Sequence, residues 1–445
     1  MYFRSREDGM SFRTLAKKFI AYTIEDEYKV YRLKHTPVKF RRYFTKEYHA
    51  AYDNVPVQEN KIVFENYMGG GFGCNCKYVL QQLLMMPQDF VETLDLVWIV
   101  QNASKQKDRF PAHVRLVEYD SQEAFAELAT AKLWVRNFHM VRYLNKGLLK
   151  KPEQVYIQMW HGSFGIKKIE GSCGYLGRDQ AWLALAKKNA GMTDYWISNG
   201  SFESGVYRDA FWGAGKILEY GHPRNDIFFE EKSREICREK LRQRYQIGDE
   251  RIVLYMPTFR DSGKSIPAGF SDGRLCEVLA ERFGGSWKCA LRLHPRLSGA
   301  ARTQPASMDI AGTENGLRDY VKENDGSAVF FVTDYPDAQE LLAAADVVIT
   351  DYSSAIFDFL LTGRPGFILA QDYDSYQEMR GLYYPLEETP FPIAGSQEQL
   401  YANILDFDEE RYRERTQSFL CEKGSVEDGL AGRRVAELIA DILRK

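Results

Sequence analysis

The chain has 445 residues, 44% hydrophobic and 27% charged, with a formal net charge of −3. That balance excludes disordered and collagen-like chains, and no run approaches the ~18 uninterrupted apolar residues of a membrane span. At ~150 residues per domain the length allows about three units, but repeated strand–helix segments commonly need more than that average, so two large units are expected. The N-terminus, MYFRSREDGMSF, is basic and aromatic but has no apolar signal core, which predicts a chain that stays in the cytoplasm. Only Cys74 and Cys76 of the seven cysteines lie close together, so the sequence predicts reduced thiols and no zinc site.

Charge is unevenly spread. Residues 1–50 carry 12 Lys and Arg against 6 Asp and Glu, a balance of +6, and the remainder carries 47 against 56, a balance of −9. Phe12, Leu15, Phe19 and Tyr22 recur at helical spacing beside Arg13, Lys17 and Lys18. Residues 1–55 therefore read as a basic amphipathic segment. It either lies on an anionic membrane surface, at ~1 kcal/mol per cation, or packs on the first domain.

From 56 to 229 short apolar runs alternate with helical patterns: KIVFEN (61–66), LDLVWIVQ (94–101), HVRLVEY (113–119), KLWVRN (132–137), QVYIQMW (154–160) and DYWIS (194–198). Nearly continuous apolar runs suit strands covered on both faces, and strand–helix–strand succession implies a parallel sheet. The charged stretch 230–248 joins this unit to a second, 230–430. That unit has strands at 252–256, 288–294, 328–333, 346–350 and 366–370 and helices at 233–245, 272–283, 337–345 and 353–362. Residues 296–316, rich in Gly, Ser, Ala and Thr, read as an exposed excursion. In 431–445, Val435, Leu438, Ile439 and Ile442 mark a helix that docks on a core face. Two such α/β units place a cleft between the carboxyl ends of two sheets.

Candidate chemistry sits at the strand ends. Ser353 and Ser354 follow the strand DVVIT, where a helix start caps through hydroxyls and attracts phosphate at ~0.3–1 kcal/mol. One turn on, Asp358 is placed to reach a ribose hydroxyl; a Ser cap without a ligand is the plainer reading. Arg292 and His294 end another strand, with Pro295 constraining the backbone, so both can meet a pyrophosphate. Trp160-His161-Gly162-Ser163 closes a strand of the first unit. There a His of near-neutral pKa suits proton removal from a hydroxyl nucleophile, and Lys167 and Lys168 add positive charge. A half-buried His under Trp160 is the structural alternative. Arg224, in GHPRND, offers a guanidinium to phosphate, and Pro257 and Thr258 follow IVLYM, where they can grip a base.

Gly69-Gly70-Gly71-Phe72-Gly73 lacks the third glycine of a dinucleotide fingerprint, and Asp372-Tyr373-Asp374 is a weak metal pair in a polar loop. No phosphate loop and no Gly-x-Ser-x-Gly elbow is present.

Taken together, QMWHGSFGIKK, GHPRND, VLYMPTFRDS, LRLHP and ELLAAADVVITDYSSAIFDFLLTGRP resemble the CDP-glycerol glycerophosphotransferase family, in order from about Lys61 to Tyr384. The resemblance implies a GT-B-like architecture: two Rossmann-like parallel-sheet α/β domains facing a central cleft, the nucleotide held mainly by the second. It implies transfer of glycerol phosphate, or a related polyol phosphate, from a CDP donor to a lipid-linked or glycan hydroxyl, with CMP released, in teichoic-acid synthesis. It implies no catalytic metal or cofactor and no nucleic-acid partner. By motif position His161 is the general base, and His294 holds the phosphates. Trp160, Gly162, Ser163, Arg224, Pro257, Thr258, Arg292, Ser353, Ser354 and Asp358 line the donor site, with Gly71, Lys167 and Lys168 on the acceptor side. A lipid-linked acceptor places the enzyme on the inner face of the membrane. Two departures, Ser163-Phe164 where the family commonly has Thr-Pro and Cys76 where it has Pro, fall on the acceptor side. The competing readings are a nucleotide-sugar glycosyltransferase of the same fold and a non-catalytic nucleotide-binding subunit.

Overall fold

The computed structural model describes residues 52, 54–173, 180–258, 271–293 and 328–444. The basic segment up to residue 51, His294 and the 296–316 excursion lie outside these residues.

The first unit is a seven-stranded sheet built from β1 (Gln58–Glu65), β2 (Asp95–Val100), β3 (Arg115–Glu118), β4 (Ala131–Arg136), β5 (Val155–Gln158), β6 (Tyr195–Ser198) and β7 (Lys216–Glu219). Its order is β3-β2-β1-β4-β5-β6-β7, and every pairing is parallel. The second unit repeats the plan with β8 (Arg251–Met256), β9 (Trp287–Leu291), β10 (Val329–Phe331), β11 (Val347–Thr350), β12 (Gly366–Leu369) and β13 (Ile393–Ala394), ordered β10-β9-β8-β11-β12-β13 and again wholly parallel. The strand order reverses beside β1 and β4 in one sheet and beside β8 and β11 in the other. Open sheets of this kind leave a crevice at that reversal.

Sequence pattern explains the strands. Ile62, Val63 and Phe64 of β1 and Val347, Val348 and Ile349 of β11 are all buried, as strands covered on both faces require. The two-residue β13 has no apolar run and carries no signal in the sequence. Its pairing is fixed by the neighbouring strand, Ile368 to Ile393 and Leu369 to Ala394.

The helix Ala431–Leu443 returns to the first unit. Val435, Ala436 and Ile439 are buried in the same core as Val79, Leu80 and Leu83 of the helix Cys74–Leu84. Asp226 secures its start by accepting from the backbone N–H groups of Ala431 and Gly432 at 3.0 and 2.7 Å. Ile439→Ala should destabilise the first unit by ~2–5 kcal/mol. Urea unfolding followed by tryptophan fluorescence checks this, and an unshifted midpoint refutes the packing role.

Candidate active site

Segments following the first unit's strands meet the loop and helix after β11 of the second. His161 follows β5, and its Nδ1 lies 3.1 Å from the carbonyl oxygen of Asn137, which follows β4. A carbonyl only accepts, so Nδ1 carries the proton and Nε2 keeps a lone pair. The imidazole is half-buried among the rings of Trp160, Tyr67 and Phe138, at centroid distances of 4.5, 5.1 and 5.2 Å. Burial is the main reason its pKa falls from 6.5 to about 4; nearby Arg224 and His139 push the same way, against the Asn137 hydrogen bond. At neutral pH His161 is an uncharged acceptor.

Trp160 adopts a left-handed φ of +50°, which turns the chain sharply out of β5. Its N–H donates to the Gln158 side chain at 3.0 Å. Gly162 follows, and a Cβ built there would lie 4.0 Å from the Ser354 hydroxyl. The His161 loop thus abuts the second unit at the predicted serines.

The helix after β11 is shorter than the sequence suggested, Ala355–Leu360 rather than 353–362. Ser353 accepts from the Ala355 N–H at 3.3 Å, and Ser354 makes no side-chain cap bond. Asp358, expected to reach a ribose hydroxyl, is instead engaged by the protein itself. It is 4% exposed and grips Arg224 bidentately, Nε to Oδ2 at 2.9 Å and Nη2 to Oδ1 at 3.1 Å. Nη2 also donates to the Gly162 carbonyl at 2.9 Å. Burial opposes the Arg224 charge, but the Asp358 carboxylate outweighs it and raises the guanidinium pKa. Nη1 is buried and has no hydrogen-bond partner among the described residues.

Thr258 and Arg292 also find protein partners. The Thr258 N–H and hydroxyl donate to Asp351, the hydroxyl at 2.9 Å, which ties the loop after β8 to the loop after β11. Nη1 of Arg292 donates to the carbonyls of Val332 and Tyr335 at 3.3 and 2.9 Å, and burial lowers the Arg292 pKa. Asp372 accepts from the Tyr352 hydroxyl at 2.9 Å, which gives it a packing role.

On the acceptor side, Gly71 holds φ +105° and its carbonyl accepts from the Asn66 amide at 3.2 Å. Ser163 accepts from Asn199 at 2.8 Å. Phe164 is fully buried in the second unit's core, its carbonyl accepting from the Tyr384 hydroxyl. Lys167 pairs with Leu382 as an antiparallel bridge, and the Lys168 N–H donates to the Gly381 carbonyl at 3.1 Å.

Sequence reasoning missed the residues that hold these loops together. Lys77 meets Asp337 at 2.7 Å and Glu340 at 2.8 Å across the cleft, and Tyr78 donates to Asp337 at 3.0 Å. Burial works against the Lys77 charge, yet the two carboxylates lift its pKa to about 12. The Asn-x-Lys spacing after the Gly-rich loop was the visible signal. Its partner Asp337 lies 260 residues further along the chain.

This architecture and loop convergence define a two-domain α/β protein with a polar site where the domains meet. Residues 48–441 match the CDP-Glycerol:Poly(glycerophosphate) glycerophosphotransferase family, and the chain belongs to it. The chain is 29% identical to a teichoic acid glycerol-phosphate transferase of Staphylococcus aureus, over 86% of this chain and 93% of that one. It is 27% identical to a teichoic acid poly(glycerol phosphate) polymerase of Bacillus spizizenii, over 86% and 92%. A polymerase of the same description from Staphylococcus epidermidis is 28% identical over 86% of this chain, which spans about half of that longer protein, 51%. Among solved structures, the wall teichoic acid polymerase TagF superposes with a TM-score of 0.72 at 25% identity, covering 97% of each chain.

Breaking the Arg224–Asp358 pair strands a buried charge. Asp358→Ala should cost ~3–5 kcal/mol, read from chemical unfolding. An unchanged unfolding midpoint contradicts the buried pairing.

Proposed function

We propose that the protein transfers glycerol phosphate, or a close polyol phosphate, from a CDP donor to an acceptor hydroxyl. The observation that carries this reading is the neutral His161, its Nε2 lone pair left over by the Nδ1 bond to Asn137, in a loop whose Gly162 accepts from Arg224 and abuts the Ser354 hydroxyl. The acceptor oxygen attacks the distal phosphorus of the donor, and its proton passes to Nε2. The bond from that phosphorus to the bridging oxygen breaks, that oxygen leaves with CMP, and a phosphodiester is formed. General-base help contributes ~10²–10⁴-fold, so electrostatic placement supplies most of the acceleration. Nη1 of Arg224 is the donor offered to phosphate, since Nε and Nη2 are held by Asp358 and Gly162. His294 is assigned the departing phosphate by motif position. The reading needs no resident cofactor, because the CDP compound is itself consumed.

The acceptor in this reading is lipid-linked, and the basic residues 1–50 hold the enzyme on the inner membrane surface. Among the described residues no helix is long and apolar enough to cross a membrane.

His161→Ala should abolish CMP release from CDP-glycerol while donor binding stays within a few-fold. Undiminished CMP release removes His161 from the mechanism, and a product with a glycosidic bond and no new phosphodiester overturns the reaction class. Because the His161 pKa is depressed to about 4, the base is competent above that pH and is lost as pH falls through it. The acid limb of kcat/KM should therefore lie near 4. A limb near the ordinary imidazole value of about 6.5 contradicts the half-buried, neutral imidazole.

A further inference from the structure

Within the reading above, the Asn75 side chain has a place that no motif assigned. It is fully buried at the start of the helix Cys74–Leu84. Its amide nitrogen donates to the carbonyls of Met159 and Trp160 at 3.3 and 3.0 Å, the two residues immediately before His161. Its amide oxygen accepts from the backbone N–H of Arg224 at 3.0 Å. All three partners are backbone groups outside the sheet ladders: Met159 and Trp160 follow β5, and Arg224 lies in the short 3-10 helix Pro223–Phe228. Trp160 stands in a left-handed conformation that is strained for a non-glycine residue and persists only where its surroundings hold it. An amide is the side-chain group that donates on one side and accepts on the other in this way; a carboxylate cannot donate, and a hydroxyl has a single proton.

We propose that Asn75 is a positioning residue: it fixes the His161 loop and the Arg224 loop to each other, and so sets the placement of the base relative to the phosphate-facing guanidinium. Asn75 acts through these two loops and not on the substrate. Without it, the carbonyls of 159 and 160 turn toward water, the 159–162 loop loosens, and His161 leaves its apolar surroundings. The groups that then set the imidazole charge are the same ones that face it now: Arg224 and His139, which disfavour protonation, and Glu170 and the Asn137 carbonyl, which favour it. Tyr67, Phe138 and Trp160 supply the apolar walls. Hydration returns the imidazole toward its ordinary value of about 6.5.

The test compares wild type with Asn75→Ala and Asn75→Ser in the full chain. Imidazole titration by NMR, with His161→Ala to identify the resonance among the seven histidines, reads the environment of the base without turnover. CMP release from CDP-glycerol reads the chemistry. In Asn75→Ala the His161 midpoint should climb from about 4 toward 6.5, and kcat per folded molecule should fall about 10–100-fold, the scale of an ångström-level misplacement. The dissociation constant for CDP-glycerol should change less than about threefold, since such a loss acts on the transition state rather than on ground-state binding. Serine, which keeps one donor, should lie between and serves if the alanine variant does not fold. A His161 midpoint and a kcat per folded molecule equal to wild type in the variants overturn the proposal. A wild type that releases no CMP refutes the transferase reading instead, and the NMR titration still decides the role of Asn75.

Discussion

Arg224 makes the contact on which the cleft depends. Its guanidinium belongs to the first unit, its carboxylate partner Asp358 to the second, and its third bond goes to the carbonyl beside His161. Burying a charged pair carries a desolvation cost of several kcal/mol per ion, and only good geometry with further hydrogen bonds offsets it. Here the geometry is bidentate, and Gln339 adds a bond to the same Asp358 carboxylate at 3.1 Å. The arrangement makes weak evidence for stability and strong evidence for register, because it fixes one relation between the two sheets at the candidate site.

Other contacts enforce the same relation. Lys77 and Tyr78 reach Asp337 and Glu340 from one side, Phe164 and Ile166 of the His161 loop lie in the second unit's core, and the helix Ala431–Leu443 packs in the first. Interdomain surfaces within a chain are commonly polar and permit relative motion. This one combines buried ion pairs with an apolar plug, so the cleft is largely pre-organised before substrate arrives. Phe164 contributes a fully buried ring to that plug.

Much of the fold was legible because its signals are local. Covered strands need continuous apolar residues, so KIVFEN, KLWVRN and DVVIT each marked a strand to within a few residues. The helix after β11 was overestimated at its end because Leu361 continues the apolar pattern while the chain already turns toward Gly363. The site was legible in part. Trp160, His161, Gly162 and Ser354 come together as the motifs suggested, whereas Thr258, Arg292 and Asp358 are engaged by Asp351, by backbone carbonyls and by Arg224.

The amino-acid sequence by itself determined the two parallel sheets, the placement of polar residues at their carboxyl ends and the family signature, since each rests on spacing within a few residues. Tertiary structure alone decided which polar group each side chain satisfies. Arg224 finds Asp358 134 residues away and Asn75 149 residues away. A buried donor must be paired with whatever acceptor the fold delivers, and that choice is made by packing in three dimensions, where separation along the chain carries no information.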